Sequence, residues 1–162
     1  MPSKKIDPLN RKLYGAVSAM LTVADIKAAA TFYQKAFGFT RRSLMTGPDG
    51  KLMHAELTLR GTTLMLGPEN LERGARSART LGGSSIALYL PVEKADKVVE
   101  KAVKLGATLV TPVMDMFWGD RCGTVADADG NVWWIVTHVA EPTSAEMKKS
   151  MKQMAQTASA AA

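Results

Sequence analysis

The sequence predicts an α+β protein made of one unit used twice, each copy a strand, a helix and three further strands. Three observations carry that prediction. Leu21-Thr-Val-Ala-Asp25 leads into a helical pattern closed by Phe37-Gly38, and Leu90-Pro-Val-Glu-Lys94 leads into another closed by Leu105-Gly106. The spacing nearly repeats, with 15 residues from Val23 to Gly38 and 14 from Val92 to Gly106. Each half then ends in a β-like segment opened by a glycine, Gly61 or Gly130. A duplication outranks local propensity in assigning a fold, and two such sheets can curve around a shared cleft.

Each element has its own signal. Residues 1–13 form a polar, proline-containing arm expected to be mobile. The first module, 14–67, opens with a strand over 15–23. Asp25 then offers a side-chain oxygen to the free N–H groups of a new helix. Ile26, Ala29, Ala30, Tyr33 and Phe37 recur on one helical face, and Gly38 ends the helix. A strand over 40–45 is followed by the turn residues Gly47-Pro-Asp-Gly50. Residues 52–59 alternate, with Met53, Ala55, Leu57 and Leu59 on one side and His54, Glu56 and Thr58 on the other. Arg60-Gly61 turns into a strand over 62–66.

Residues 68–84 break the pattern and read as a linker. Arg73, Arg76 and Arg79 are three apart, which permits a short helix with one basic face. That stretch is read as solvated, or as a lid that helps hold an anion. The second module, 85–140, repeats the plan: strand 85–92, a helix with Ala95, Val98, Val99, Ala102 and Leu105 on its apolar face, then strands 108–114, 121–127 and 132–138. Thr143-Ser-Ala-Glu146 is a capping box. It opens a C-terminal helix with Met147, Met151 and Met154 along one side, in a 141–162 segment whose last residues are expected to fray.

Composition narrows the function classes. Of 162 residues 46% are hydrophobic, enough for a core, and no run approaches the ~20 apolar residues of a membrane span. The N-terminal residues lack the apolar stretch of a secretory signal. The single cysteine, Cys122, precludes an internal disulfide framework and reads as a packed thiol in a cytoplasmic protein. The net charge of +6 is scattered among arm, loops and C-terminal lysines. No basic stripe is interleaved with aromatics, so specific nucleic-acid binding is not expected. An attraction for anionic small molecules fits the charge better.

Val23-x-Asp25, Phe32-Tyr33 and Phe37-Gly38 resemble the first module of the vicinal oxygen chelate superfamily, the glyoxalase / bleomycin-resistance / extradiol-dioxygenase group. Asp49-Gly-Lys-Leu-Met-His-Ala-Glu-Leu57, the run from Pro112 through Met116-Phe-Trp-Gly-Asp-Arg121 to Gly123, and Asp127-Ala-Asp-Gly-Asn-Val-Trp133 are similar to its PhnB-like branch. Ala128 departs from the proline usual in that turn. The resemblance spans about 12–143. It implies paired βαβββ modules with curved mixed sheets around a cleft, and often a homodimer. It also implies a divalent metal held by His and Glu or Gln side chains on the first and last strand of each module. The matching positions here are Ser18, Met65, Ala87 and Trp134, none a usual ligand for a hard ion.

With Met65 and Trp134 facing the cleft, alternation adds Ser18, Met20, His54, Glu56 and Thr58 from the first module. From the second it adds Ala87, Tyr89, Arg121 and Gly123, with Phe117 and Trp118 as a rim. An aromatic and Met-lined cleft with a few polar groups suits a small molecule. Glu56 is expected to pair with Arg121 across it. His54 and Glu56 share a face and are the only candidates for a general base or a sparse metal site, with structural or ligand-orienting roles as the other reading. His138 reads as a surface or packed histidine.

The expectation is therefore a metal-free, cofactor-free binding protein for an aromatic or anionic small molecule, one version being sequestration of a toxic compound. Catalysis is left open. The alternatives are a metal-dependent lyase, isomerase or dioxygenase-like enzyme using His54 and Glu56, and an accessory subunit whose cleft is filled by its own side chains. The Met-bearing helix is the expected dimer contact.

Overall fold

The structure, a computed structural model, describes residues 6–160. Lys4, Lys5 and the start of the arm lie outside the described residues, as do the last two residues of the tail. The chain divides into two compact units. The first holds residues up to Ser84 together with Ala128–Asn131, and the second holds Ser85–Asp127 and the residues from Val132 onward.

In the first unit, β1 (Ala19–Val23) is followed by α1 (Ile26–Phe37), β2 (Thr40–Thr46), β3 (Leu52–Leu59) and β4 (Thr62–Pro68). The sheet order is β1-β4-β3-β2. β1 runs parallel to β4, Met20 opposite Met65, and the other pairings are antiparallel. α1 forms as its sequence dictates. Asp25 accepts from the Ala28 N–H at 2.9 Å, and Gly38, at φ 82°, closes the helix on the Gln34 and Tyr33 carbonyls. Its apolar face is buried with Leu21, Val23, Ala55, Leu57, Leu64 and Leu66, so the odd positions of β1 and β3 and the even ones of β4 form the core.

The second unit repeats this: β5 (Ala87–Pro91), α3 (Ala95–Lys104), β6 (Thr108–Asp115), β7 (Asp120–Ala126) and β8 (Val132–His138), in the order β5-β8-β7-β6. Tyr89 lies opposite Trp134 where the first sheet has Met20 opposite Met65. Leu90, Val125, Trp133 and Ile135 are buried beneath α3 with Val99 and Ala102. α3 has no side-chain cap at Lys94. A strand supplies it instead: Thr137 Oγ1 accepts from the Ala95 N–H at 2.8 Å and donates to the Val92 carbonyl at 3.0 Å.

Between β4 and β5 the expected linker has structure of its own. A 3₁₀ turn (Leu71–Arg73) and the short helix α2 (Ala78–Leu81) are held by Glu69, which accepts from the Ser77 N–H at 2.7 Å and from Thr80 Oγ1 at 2.5 Å. Arg79 donates its N–H to the Asp129 carbonyl at 2.7 Å. The capping box is formed, Thr143 and Glu146 bonding reciprocally, and α4 (Ser144–Ala160) follows. Among the described residues no helix is long and apolar enough to cross a membrane.

Leu57 is fully buried under α1. Leu57→Ala should lower unfolding free energy by about 2–5 kcal/mol, and Asp25→Ala by about 1 kcal/mol. Urea titration followed by circular dichroism measures both.

Candidate functional site

Each sheet has one face under its helix and one face free of it, and the free faces carry the polar and aromatic side chains. In the first unit Glu56 pairs in register with Met65 and Ser43, so His54, Glu56, Thr58, Thr63, Met65 and Met20 share the face away from α1. Glu56 is only 9% exposed. A β-bulge places Arg42 between Arg41, opposite Leu57, and Ser43, opposite Glu56. The extra residue is re-aimed off the ladder, and it reaches Glu56. Arg42 Nε donates to Glu56 Oε2 at 2.9 Å, and Ser43 Oγ donates to the same oxygen at 3.3 Å. Arg42 Nη2 also sits 2.9 Å from Oε2, off the hydrogen-bonding line, so that contact is electrostatic.

The arm completes this cluster. Tyr14 donates its hydroxyl to Glu56 Oε1, and its ring lies 5.0 Å from the Arg42 guanidinium carbon. The Leu13 carbonyl accepts from Arg42 Nη1 at 2.9 Å and from Thr63 Oγ1 at 2.7 Å. His54 Nε2 is 3.6 Å from Glu56 Oε1. Burial pushes the Glu56 carboxyl up, but the bonds from Tyr14 and Arg42 and the charge of Arg42 outweigh it and hold the group below its ordinary value. The same bond to Glu56 raises the Tyr14 phenol.

In the second unit the register sets Thr124 opposite Trp134 and Cys122 opposite Val136. Thr124, Cys122 and Asp120 therefore share the free face with Tyr89 and Trp134. Arg121 and Gly123 were expected there and lie on the opposite face, because they pair with Thr137 and Ile135, which face α3. Arg121 grips Asp96 of α3 with Nε and Nη2, both at 2.8 Å, and Asp115 with Nη1 at 2.9 Å. The expected Glu56–Arg121 pair is thereby corrected: Glu56 takes its arginine from β2, and Arg121 is held by two aspartates of its own unit.

Asp120, missed in the sequence, organises the second face. Its Oδ2 accepts from the Tyr89 hydroxyl and from Trp118 Nε1, each at 2.9 Å, and its Oδ1 lies 2.9 Å from His138 Nδ1. These bonds, led by His138, hold the Asp120 carboxyl below its ordinary value against the effect of burial. The Asp120 bond likewise raises His138. Cys122 is 1% exposed, and burial then Asp120 push its thiol up. A protonated, enclosed thiol is a poor nucleophile. Gly119 fixes the loop before Asp120. At φ +99° it has no room for a side chain, since a Cβ would stand 2.0 Å from the Ala140 carbonyl oxygen, and its own carbonyl accepts from Val139 and Ala140.

The remaining expected residues are placed as follows. Ser18 precedes β1, and its buried Oγ has no hydrogen-bond partner among the described residues. Ala87 opens β5 and is exposed. Thr58 pairs with Thr63. Phe117 packs edge-on against Trp118. A divalent ion on the first and last strands of each module would meet a hydroxyl, a thioether, a methyl and an indole at Ser18, Met65, Ala87 and Trp134. That donor set does not fit a hard cation. Among the described residues no group of three or more His, Cys, Asp or Glu is placed to hold one.

Two tests follow. Arg42→Met strands a nearly buried carboxylate and should cost about 1–3 kcal/mol, less when Glu56→Gln is added, as a double-mutant cycle in urea will show. For Asp120 and His138 the signs differ. Asp120, depressed on folding, stabilises above its ordinary value of ~3.9 and loses this as pH falls through its lower folded value. His138, raised, stabilises below ~6.5 and loses this as pH rises through its higher folded value. The gap in unfolding free energy between wild type and Asp120→Asn should peak between about pH 4 and 6.5 and narrow on both sides.

Comparison with known proteins places these faces in a family. Residues 15–135 match the sequence profile of the Glyoxalase/Bleomycin resistance protein/Dioxygenase superfamily. An uncharacterized protein of Mycobacterium bovis is 37% identical over 139 residues, covering 84% of this chain and 91% of the relative. One from Mycobacterium tuberculosis has the same identity over 84% and 82%. Among solved structures, a gene product of Arabidopsis thaliana superposes with a TM-score of 0.61 at 26% identity, covering 75% of this chain and 98% of that one. TioX from Micromonospora sp. ML1 shares the fold, with a TM-score of 0.59 at 23% identity over 77% and 100%. With the profile spanning most of the residues and the βαβββ topology present twice, this chain belongs to the Glyoxalase/Bleomycin resistance protein/Dioxygenase superfamily.

Proposed function

We propose that the protein is a PhnB-like member of its superfamily that binds a flat small molecule without a metal, as a homodimer in the cytoplasm. Sequestration of a toxic compound is the biological role this reading favours. The observation that carries it is the aromatic pair on the free face of the second sheet. Tyr89 stands opposite Trp134 and is 58% exposed, although a tyrosine with an apolar ring and an anchored hydroxyl gains by being covered. Asp120 fixes that hydroxyl and the Trp118 indole. The rings are thus set before a ligand arrives, which lowers the entropic cost of stacking.

The structure changes which ligand this reading favours. Arg121 was expected in the cleft beside Glu56, and its donors are instead engaged by Asp96 and Asp115. The polar group beside the rings is the Asp120 carboxylate. A neutral or donor-bearing aromatic therefore suits the face better than an anion. The dimer contact is assigned to α4, where Met151 and Met154 are exposed on one side; thioethers adapt to a partner surface.

A thermal-shift screen of planar aromatic compounds tests the reading. A binding compound should raise the melting temperature and quench tryptophan fluorescence. Trp134→Ala should weaken it about five- to twelvefold, as expected for loss of a stacking partner worth about 1–1.5 kcal/mol. Binding should survive exhaustive chelation. A hit that needs a divalent ion, or that binds Trp134→Ala equally well, would overturn the proposal.

A further inference from the structure

The polar cluster of the first unit is built by the sheet, yet one of its members comes from elsewhere. Arg42, Ser43, Glu56 and Thr63 belong to three adjacent strands, and the bulge and register alone set Arg42 against Glu56. Tyr14 is not part of the sheet. It arrives from the arm, where Ile6 and Leu9 are exposed and where, among the described residues, the hydrogen bonds of Asp7 and Asn10 stay within 7–14. Its ring covers the Arg42 guanidinium and its hydroxyl donates to Glu56, one aromatic group meeting one cation and one anion. Both are interactions that a free molecule can reproduce.

We propose that Tyr14 is a tethered surrogate ligand, and that the Arg42–Glu56 cluster takes a phenol-bearing small molecule in its place. The molecule's ring would lie over Arg42 and its hydroxyl would donate to Glu56, while the arm lifts away. Arg42 would keep its bond to Glu56, and Thr63 would lose the Leu13 carbonyl to water. This site is built from residues of the first unit alone, without Tyr89 or Trp134. Competition follows from the tether. A group on a short arm acts at a high effective concentration, and a site free only a fraction of the time binds its external ligand correspondingly more weakly.

The probe is p-cresol, the tyrosine side chain as a free molecule, with 4-methylanisole as the control that lacks the hydroxyl donor. Titration by NMR should show Tyr14→Ala binding p-cresol at least tenfold tighter than wild type, with 4-methylanisole clearly weaker. Tyr14→Phe, which keeps the ring and so the fold, should fall between. In wild type, saturating p-cresol should speed trypsin cleavage after Arg11 and Lys12. Trp134→Ala should leave all of this unchanged, so failure here and failure of the stacking face read out separately. Equal p-cresol affinity in wild type, Tyr14→Phe and Tyr14→Ala, equal affinity for the two probes, or an arm as protected at saturation as without ligand would each overturn the proposal.

Discussion

In each unit the parallel pairing of the first strand with the last governs the rest. It sets Ala19 against Leu64 in one sheet and Leu88 against Trp133 in the other. Side chains alternate along a strand, so this one register decides which residues the helix covers and which stay free. Leu21, Leu57, Leu64 and Leu66 go under α1, and Leu90, Val125, Trp133 and Ile135 go under α3. A slip of one residue would exchange the buried leucines for Met20, Glu56 and Met65. The apolar burial therefore holds the polar faces in place without touching them.

The two free faces solve one problem in two ways. Each holds a poorly exposed carboxylate, and such a group is tolerated only when its lone pairs are occupied by donors. Glu56 is met by a guanidinium that the β2 bulge swings across the sheet, and by a phenol from the arm. Asp120 is met, among the described residues, by a phenol, an indole and an imidazole from three separate stretches. The first arrangement is a charge pair capped by a ring. The second is a carboxylate met by two neutral donors and a histidine, and it orders rings at a surface. The second leaves aromatic area uncovered, which is why ligand stacking is assigned there.

Family membership alone does not specify the chemistry. The duplicated scaffold is present, while the positions at which the superfamily implies a metal carry a hydroxyl, a thioether, a methyl and an indole. Function resides in sites set on a fold, not in the fold itself. On this chain the chemistry-bearing groups lie beside those positions. Met65 neighbours Glu56 in the ladder, and Trp134 neighbours Tyr89.

Much of the fold was legible in the amino-acid order because its signals are local. Asp25 and Gly38 bracket α1, Thr143 and Glu146 start α4, and the alternation in 52–59 separates Leu57 from Glu56 without reference to any other strand. These depend on residues a few positions apart. The site was legible only in part. His54, Glu56, Tyr89, Trp118 and Trp134 stood out by type, but their partners did not. Arg42 reaches Glu56 because a bulge adds a residue to β2, and nothing near Arg42 announces it. Arg121 turned to the helix because β7 takes its parity from β8, a strand joined to it by a turn whose length the alternation cannot read. Thr137 caps α3 from a strand 42 residues away. Periodicity and capping are properties of neighbours in sequence, so the chain carries them openly. Register, bulge and long-range pairing are properties of neighbours in space, and only the packed sheet decided them.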